Sequence, residues 1–165
     1  MKHIFFAAIV ALSVSSCALP MNSSEFEKAV SGTPGGKVNQ ITLHIPFDKV
    51  IANLKGPIEN CMSYSTPALI SSHGMVGPAH SLRTHLTILK PGRAKLITQD
   101  KQTGGIMILS EPEGGLYIFS ADITSESKTT TVIVMRYHVL GPSEFADHMK
   151  NWASGEDQSC HHGLF

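Results

Sequence analysis

Charge is scarce in this chain and has no bias. Thirteen Lys and Arg stand against thirteen Asp and Glu, and charged residues make up only 16% of the sequence. A protein that neutralises phosphates needs a basic surplus, so nucleic acid is not an expected partner. Cysteine is nearly absent, with three residues, and aromatics are few. Long apolar runs are absent apart from one at the start. The sequence has no G-x-S-x-G elbow, no H-E-x-x-H, no C-x-x-C and no phosphate-cradling glycine motif. These gaps argue against common acyl-transfer, metalloprotease, thiol-redox and P-loop chemistry. No cofactor and no metal set is therefore expected.

The apolar run is Ile4 to Val14, behind the short positive start Met1-Lys2-His3. Eleven helical residues rise about 16 Å, too little for the roughly 30 Å of a bilayer core. That length suits the hydrophobic region of a secretory signal. Val14-Ser15-Ser16-Cys17 follows at once. It resembles the bacterial lipobox: a branched apolar residue, two small residues, then cysteine. The resemblance implies that the Cys17 sulfur receives a diacylglyceryl group and that the signal is cut before it. The new amine is then acylated. Ala18, in place of aspartate, implies sorting to the outer membrane, on its periplasmic face. The alternative is an ordinary signal cut at a small residue, with Cys17 incidental. On the lipoprotein reading, residues 1–16 are signal and about 149 residues remain, enough for one domain with its own core.

Lipidation removes Cys17 from the thiol count and leaves Cys61 and Cys160. An even pair in an oxidising compartment reads as a disulfide. The alternative is two free thiols.

Residues 17–39 are rich in Ser, Gly, Asn and Pro, including Ser31-Gly32-Thr33-Pro34-Gly35-Gly36. They read as a flexible tether, with at most a loose helical turn at Glu25 to Val30. A single domain is expected over residues 40–165. Ile41, Leu43 and Ile45 alternate with polar residues as in a half-buried strand. Asp48 is a plausible N-cap for a helix whose Val50, Ile51, Leu54, Ile58 and Cys61 share one face. Gly56-Pro57 predicts a kink or a break there. Tyr64 to Ala79 reads as a long loop with His73 and His80 near its end, a candidate ligand or partner loop.

Strand patterns follow at Leu82–Leu89, Ala94–Thr98, Thr103–Leu109, Leu116–Ile123 and Thr129–Val139, separated by Gly- and Pro-containing turns. Gly141-Pro142 opens a last helix in which Phe145, Met149, Trp152 and Ala153 share a face, stopped at Gly155. Strand, helix, meander and helix, with no strand–helix alternation, predict an α+β fold. Its antiparallel sheet would have five or six strands, with a C-terminal helix packed on it. This order is similar to the helix-grip architecture, as in the BamC-type domains of the barrel-assembly machine. The Trp152-Ala153-Ser154-Gly155-Glu156…Cys160 ending resembles small proteobacterial lipoproteins of unknown function. Neither likeness implies an activity.

Histidine is the one enrichment. His44, His85 and His138 lie on different strand segments and could meet on one sheet face as a zinc site. Their ordinary role is solvent-facing strand residues, and His161-His162 is a polar tail. Arg83, Arg93 and Arg136 could line a carboxylate-binding groove. Glu59 and Asp122 are isolated acids with nothing to pair them for glycoside hydrolysis. The expectation is a non-enzymatic envelope lipoprotein, held to the membrane by lipid, that presents a binding or adaptor domain to an envelope partner. The rival is a carrier of a small apolar ligand in a cleft between sheet and C-terminal helix.

Overall fold

The computed structural model describes residues 19–68, 77–103, 111–139 and 143–160. Six antiparallel strands form one sheet in the order β1-β6-β5-β4-β3-β2. The strands are β1 (Gly36–Leu43), β2 (Ser65–Thr66), β3 (Ala79–Lys90), β4 (Arg93–Thr103), β5 (Leu116–Ser127) and β6 (Thr130–His138). Among the described residues there are three helices: α1 (Ser23–Gly32), α2 (Phe47–Asn60) and α3 (Ser143–Ser154). This is the expected α+β, antiparallel, helix-grip-like class.

The meander follows from alternation. Leu82, Ala94, Leu96, Phe119, Ala121, Ile123, Ile133, Met135 and Tyr137 are buried and turn toward α2 and α3. Val50, Leu54 and Ile58 of α2 and Phe145, Met149 and Trp152 of α3 complete that core. Phe119 stacks on Tyr137 and meets Phe145 edge-on at 5.9 Å. The space between sheet and α3 is thus filled by aromatic and Met side chains at these positions. Each large buried side chain contributes roughly 1.5–3 kcal/mol. Gly155, at φ 80°, closes α3: its N–H reaches the Trp152 carbonyl, and the Glu156 N–H reaches that of Asn151.

The opposite sheet face is covered by α1. Phe26 packs beside Tyr117, and Glu27 holds Lys95 at 2.8 Å. Ser120, between Phe119 and Ala121, is fully buried, so β5 is covered on both faces there. The outer face of β3 stays open: Arg83, His85 and Thr87 are exposed.

Several expectations are corrected. Residues 17–39 are not simply a tether. Asn22 caps α1, its side chain accepting from the Glu25 N–H, while its own amide donates to the Glu25 carboxylate. Phe26 and Val30 are buried, and β1 begins at Gly36. The pairing of β1 along the whole of β6 explains that early start, since a long strand supplies backbone partners to polar residues. Helix α2 starts at Phe47 rather than after Asp48, with Pro46 as its N-cap, and it runs through Pro57 without a break. Pro57 sits in the last turn, where the missing N–H removes a single helical bond. The strand expected at Ala94–Thr98 is longer than that, and the one expected at Thr103–Leu109 falls, apart from Thr103, outside the described residues. Strand β4 runs unbroken to Thr103.

Candidate functional site

Cys61 and Cys160 are joined, with their Cα atoms 5.1 Å apart. The bond ties the C-cap of α2 to the segment that follows α3. It also fixes the start of the short stretch Met62–Tyr64, which docks on β3. The Leu82 N–H donates to the Tyr64 carbonyl at 2.8 Å, and the Thr84 N–H reaches Ser63 Oγ at 3.1 Å. The Thr84 hydroxyl donates to the Met62 carbonyl at 2.6 Å. Its proton is thereby committed, so the contact of 2.9 Å with Thr98 Oγ1 has Thr98 as donor. Thr98 is fully buried, a polar step in an otherwise apolar face.

Beyond this hydroxyl pair the same sheet face turns polar. Leu82 registers with Asp100, and His80 with Gln102. His80 Nδ1 lies 2.8 Å from Asp100 Oδ2, and Gln102 Nε2 lies 3.4 Å from the same oxygen. Asp100 is buried, while the His80 side chain is 38% exposed. A carboxylate on one ring nitrogen orients the imidazole and leaves its far nitrogen available. Among the described residues, Asp100 Oδ1 and Glu144 Oε1 are buried and have no hydrogen-bond partner. Glu144 belongs to the first turn of α3.

Tyr64 completes the group. Its phenol is pushed up to about 12, first by burial, then by the negative charges of Glu144 and Asp100. It stays a neutral O–H at any physiological pH. The cluster therefore combines a permanent phenol donor, an oriented imidazole and two carboxylates with spare lone pairs. Such a set suits a ligand or partner group that brings hydrogen-bond donors or positive charge.

Among the described residues, no three His, Cys, Asp or Glu side chains gather as a metal site. His44 follows β1 at the end where Leu43 meets Thr131, whereas His138 registers with Gly36 at the other end. His85 is on β3, separated from β6 by two strands. The three do not meet. The arginines do not form a groove either. Arg136 is bound to Asp122 at 2.7 Å, Arg83 registers with Gln99, and Arg93 sits at the β3–β4 turn. Asp122 is occupied by this ion pair, and Glu59 is exposed on α2. His80 lies in β3 rather than in a loop. His73 and Cys17 fall outside the described residues.

Tyr64, Asp100 and Glu144 are absent from the residues that sequence reasoning singles out. Asp100 has a readable signal: it continues the parity of Ala94, Leu96 and Thr98 and so places a carboxylate on the buried face. The nearness of Tyr64 and Glu144 depends on how α2 and α3 close over the sheet, and no local pattern encodes that.

No protein-family model matches this chain. No curated protein matches it either. Among solved structures, the hypothetical protein jhp0584 from Helicobacter pylori is similar over 74% of this chain and 86% of its own, at 12% identity and a TM-score of 0.39. DynU16, a protein of the dynemicin biosynthetic locus, is similar over 76% of this chain at 12% identity and a TM-score of 0.34. The di-domain ARO/CYC StfQ from the steffimycin biosynthetic pathway is similar over 72% at 14% identity and a TM-score of 0.33. The chain spans under half the length of the last two, 46% and 42%. Likenesses this distant carry no argument about function.

Proposed function

We propose that this chain is an envelope lipoprotein, anchored through Cys17, whose folded domain is a binding or adaptor module rather than an enzyme. The observation that carries the reading is the disulfide between Cys61 and Cys160. Disulfides persist in secreted and periplasmic proteins and are rare in the cytosol. Of three cysteines, this bond consumes two, and the one left over stands at the end of a signal-like run. The cluster of Tyr64, His80, Asp100 and Glu144 is the surface on which the module receives its partner. Its buried acceptors favour a partner group that donates hydrogen bonds. An apolar ligand between sheet and α3 is the weaker reading, because Phe119, Phe145, Met149 and Trp152 occupy that space.

The test is metabolic labelling with a palmitate analogue, comparing the native chain with Cys17→Ser. The native chain is expected to take up label and to fractionate with membranes, and the variant to take up none. Equal labelling of both, or none in either, contradicts the anchor. The binding role is tested with a photocrosslinker placed at exposed Gln102. One reproducible envelope protein, lost in Asp100→Asn, is expected; no adduct above background contradicts the role.

A further inference from the structure

Strands β3 and β4 carry Arg83, Lys90, Arg93, Lys95 and Lys101, and Asp100 is their sole carboxylate. Asp100 faces the core side, bonded to His80. The cations do not. Residues directly opposite in an antiparallel pair share a face, and neighbours along a strand alternate. Arg83 registers with Gln99, Ser81 with Lys101, Thr87 with Lys95, and Lys90 with Arg93. All lie on the face opposite the core residues Leu82, Ala94 and Leu96. Only Lys95 is compensated, by Glu27 and Asp122. Arg83, Lys90, Arg93 and Lys101 are exposed and, among the described residues, have no ion pair. The ribbon from Lys101 to Arg93 is about 27 Å long at the usual strand rise. The exposed Leu89 stands at its tip, whereas Ile88, opposite Ala94, is on the core side.

The net charge of the whole chain is zero, so this face is a local segregation rather than a general excess. Its position relative to the anchor is informative. Only five residues lie between Cys17 and Ser23, six residue steps with a reach of about 20 Å when extended. Helix α1, which starts at Ser23, lies on this same sheet face, with Glu27 on Lys95. A membrane that holds Cys17 is thereby kept near the open β3–β4 face. A single acyl chain binds marginally, and basic residues beside an acyl anchor strengthen the hold on anionic lipid.

We infer that the outer face of the β3–β4 hairpin docks on the anionic phospholipid surface of the membrane that holds the anchor, with Arg83, Lys90, Arg93 and Lys101 over the headgroups and Leu89 at the interface. This inference rests on the lipid-anchor reading above. It fixes the orientation of the domain: α2 and α3 face away from the lipid, and the Tyr64–His80–Asp100–Glu144 end stays accessible from the side.

The test uses the full acylated chain, reconstituted in vesicles containing phosphatidylglycerol and, separately, in vesicles of phosphatidylcholine alone. A brief pulse of an amine-reactive reagent is followed by peptide mapping. Lys90 and Lys101 are expected to label several-fold more slowly on the anionic vesicles. Lys55 and Lys150, exposed on α2 and α3, are expected to label equally on both and serve as internal controls. The double variant Arg83→Glu, Arg93→Glu should abolish the difference. A chain that enters both vesicles and shows equal labelling of Lys90 and Lys101 overturns the docking but leaves the anchor standing. A chain that enters neither refutes the anchor, and the docking with it. Protection that appears only when envelope proteins are added assigns the face to a protein partner and overturns the proposal.

Discussion

At the scale of single residues, the structure turns on polar groups placed on a buried face. Thr84 bridges the Met62 carbonyl and the Thr98 hydroxyl with no access to solvent for Thr98. Replacing Thr84 by Val keeps the shape and leaves both partners unpaired, a cost of roughly 1–3 kcal/mol. Denaturant unfolding of Thr84→Val should show that loss at an unchanged slope. Tyr64 makes a second prediction. Its folded pKa of about 12 lies above the ordinary value of 10.0, so the unfolded chain releases the proton first as pH rises. Stability should therefore be unaffected below pH 10 and should fall between pH 10 and 12. Tyr64→Phe should lack that part of the alkaline decline, as read by thermal melts across the range. Residues of this kind were only partly legible. Cys61 and Cys160 could be paired by counting. His80 stood out as a histidine, but its partner Asp100 was hidden until β3 and β4 were set in register.

Elements show what alternation can and cannot convey. The strands of the meander and helix α3 announce themselves through period-two and period-3.6 apolar patterns and through Gly155. Helix α1 does not, because its apolar content is small, with Phe26 and Val30 as its buried residues. Its signal was of another kind. Asn22 and Glu25 stand three apart as a capping box, and the Met21 N–H also reaches the Glu25 carboxylate at 2.8 Å. Asn22→Ala should destabilise the domain by about 0.5–2 kcal/mol. If residues 22–32 were only tether, the variant would melt like the native chain. Strand β1 was mistaken at its start for the same reason: its first residues are polar, and their strand conformation comes from β6 rather than from their own burial. Strand β4 was expected to end at Thr98 because Gln99, Asp100 and Gln102 interrupt the apolar pattern. The interruption is where the face changes from core to site.

For the molecule as a whole, the disulfide links the fold to the proposed compartment. The bond joins residues 99 apart. In the chain-entropy model a loop of that length stabilises by up to about 4.7 kcal/mol. Reduction, or Cys160→Ala, should lower the unfolding free energy by roughly 2–5 kcal/mol. It should also loosen Met62–Tyr64, with faster amide exchange at Leu82 and Thr84, whose N–H groups bond to that stretch. A domain equally stable with and without reductant would remove the physical reason for placing it in an oxidising compartment. The class of fold was readable from element order. The site was not, because it is built from the Met62–Tyr64 stretch, β3, β4 and α3, whose convergence is a property of the closed structure.

The most direct test of the account is the intact mass of the protein taken from its own envelope, after alkylation without reductant. The account predicts a chain that begins at Cys17, carries its mass plus acyl groups, and has no alkylated cysteine. A chain without added lipid, or one alkylated at both Cys61 and Cys160, contradicts it.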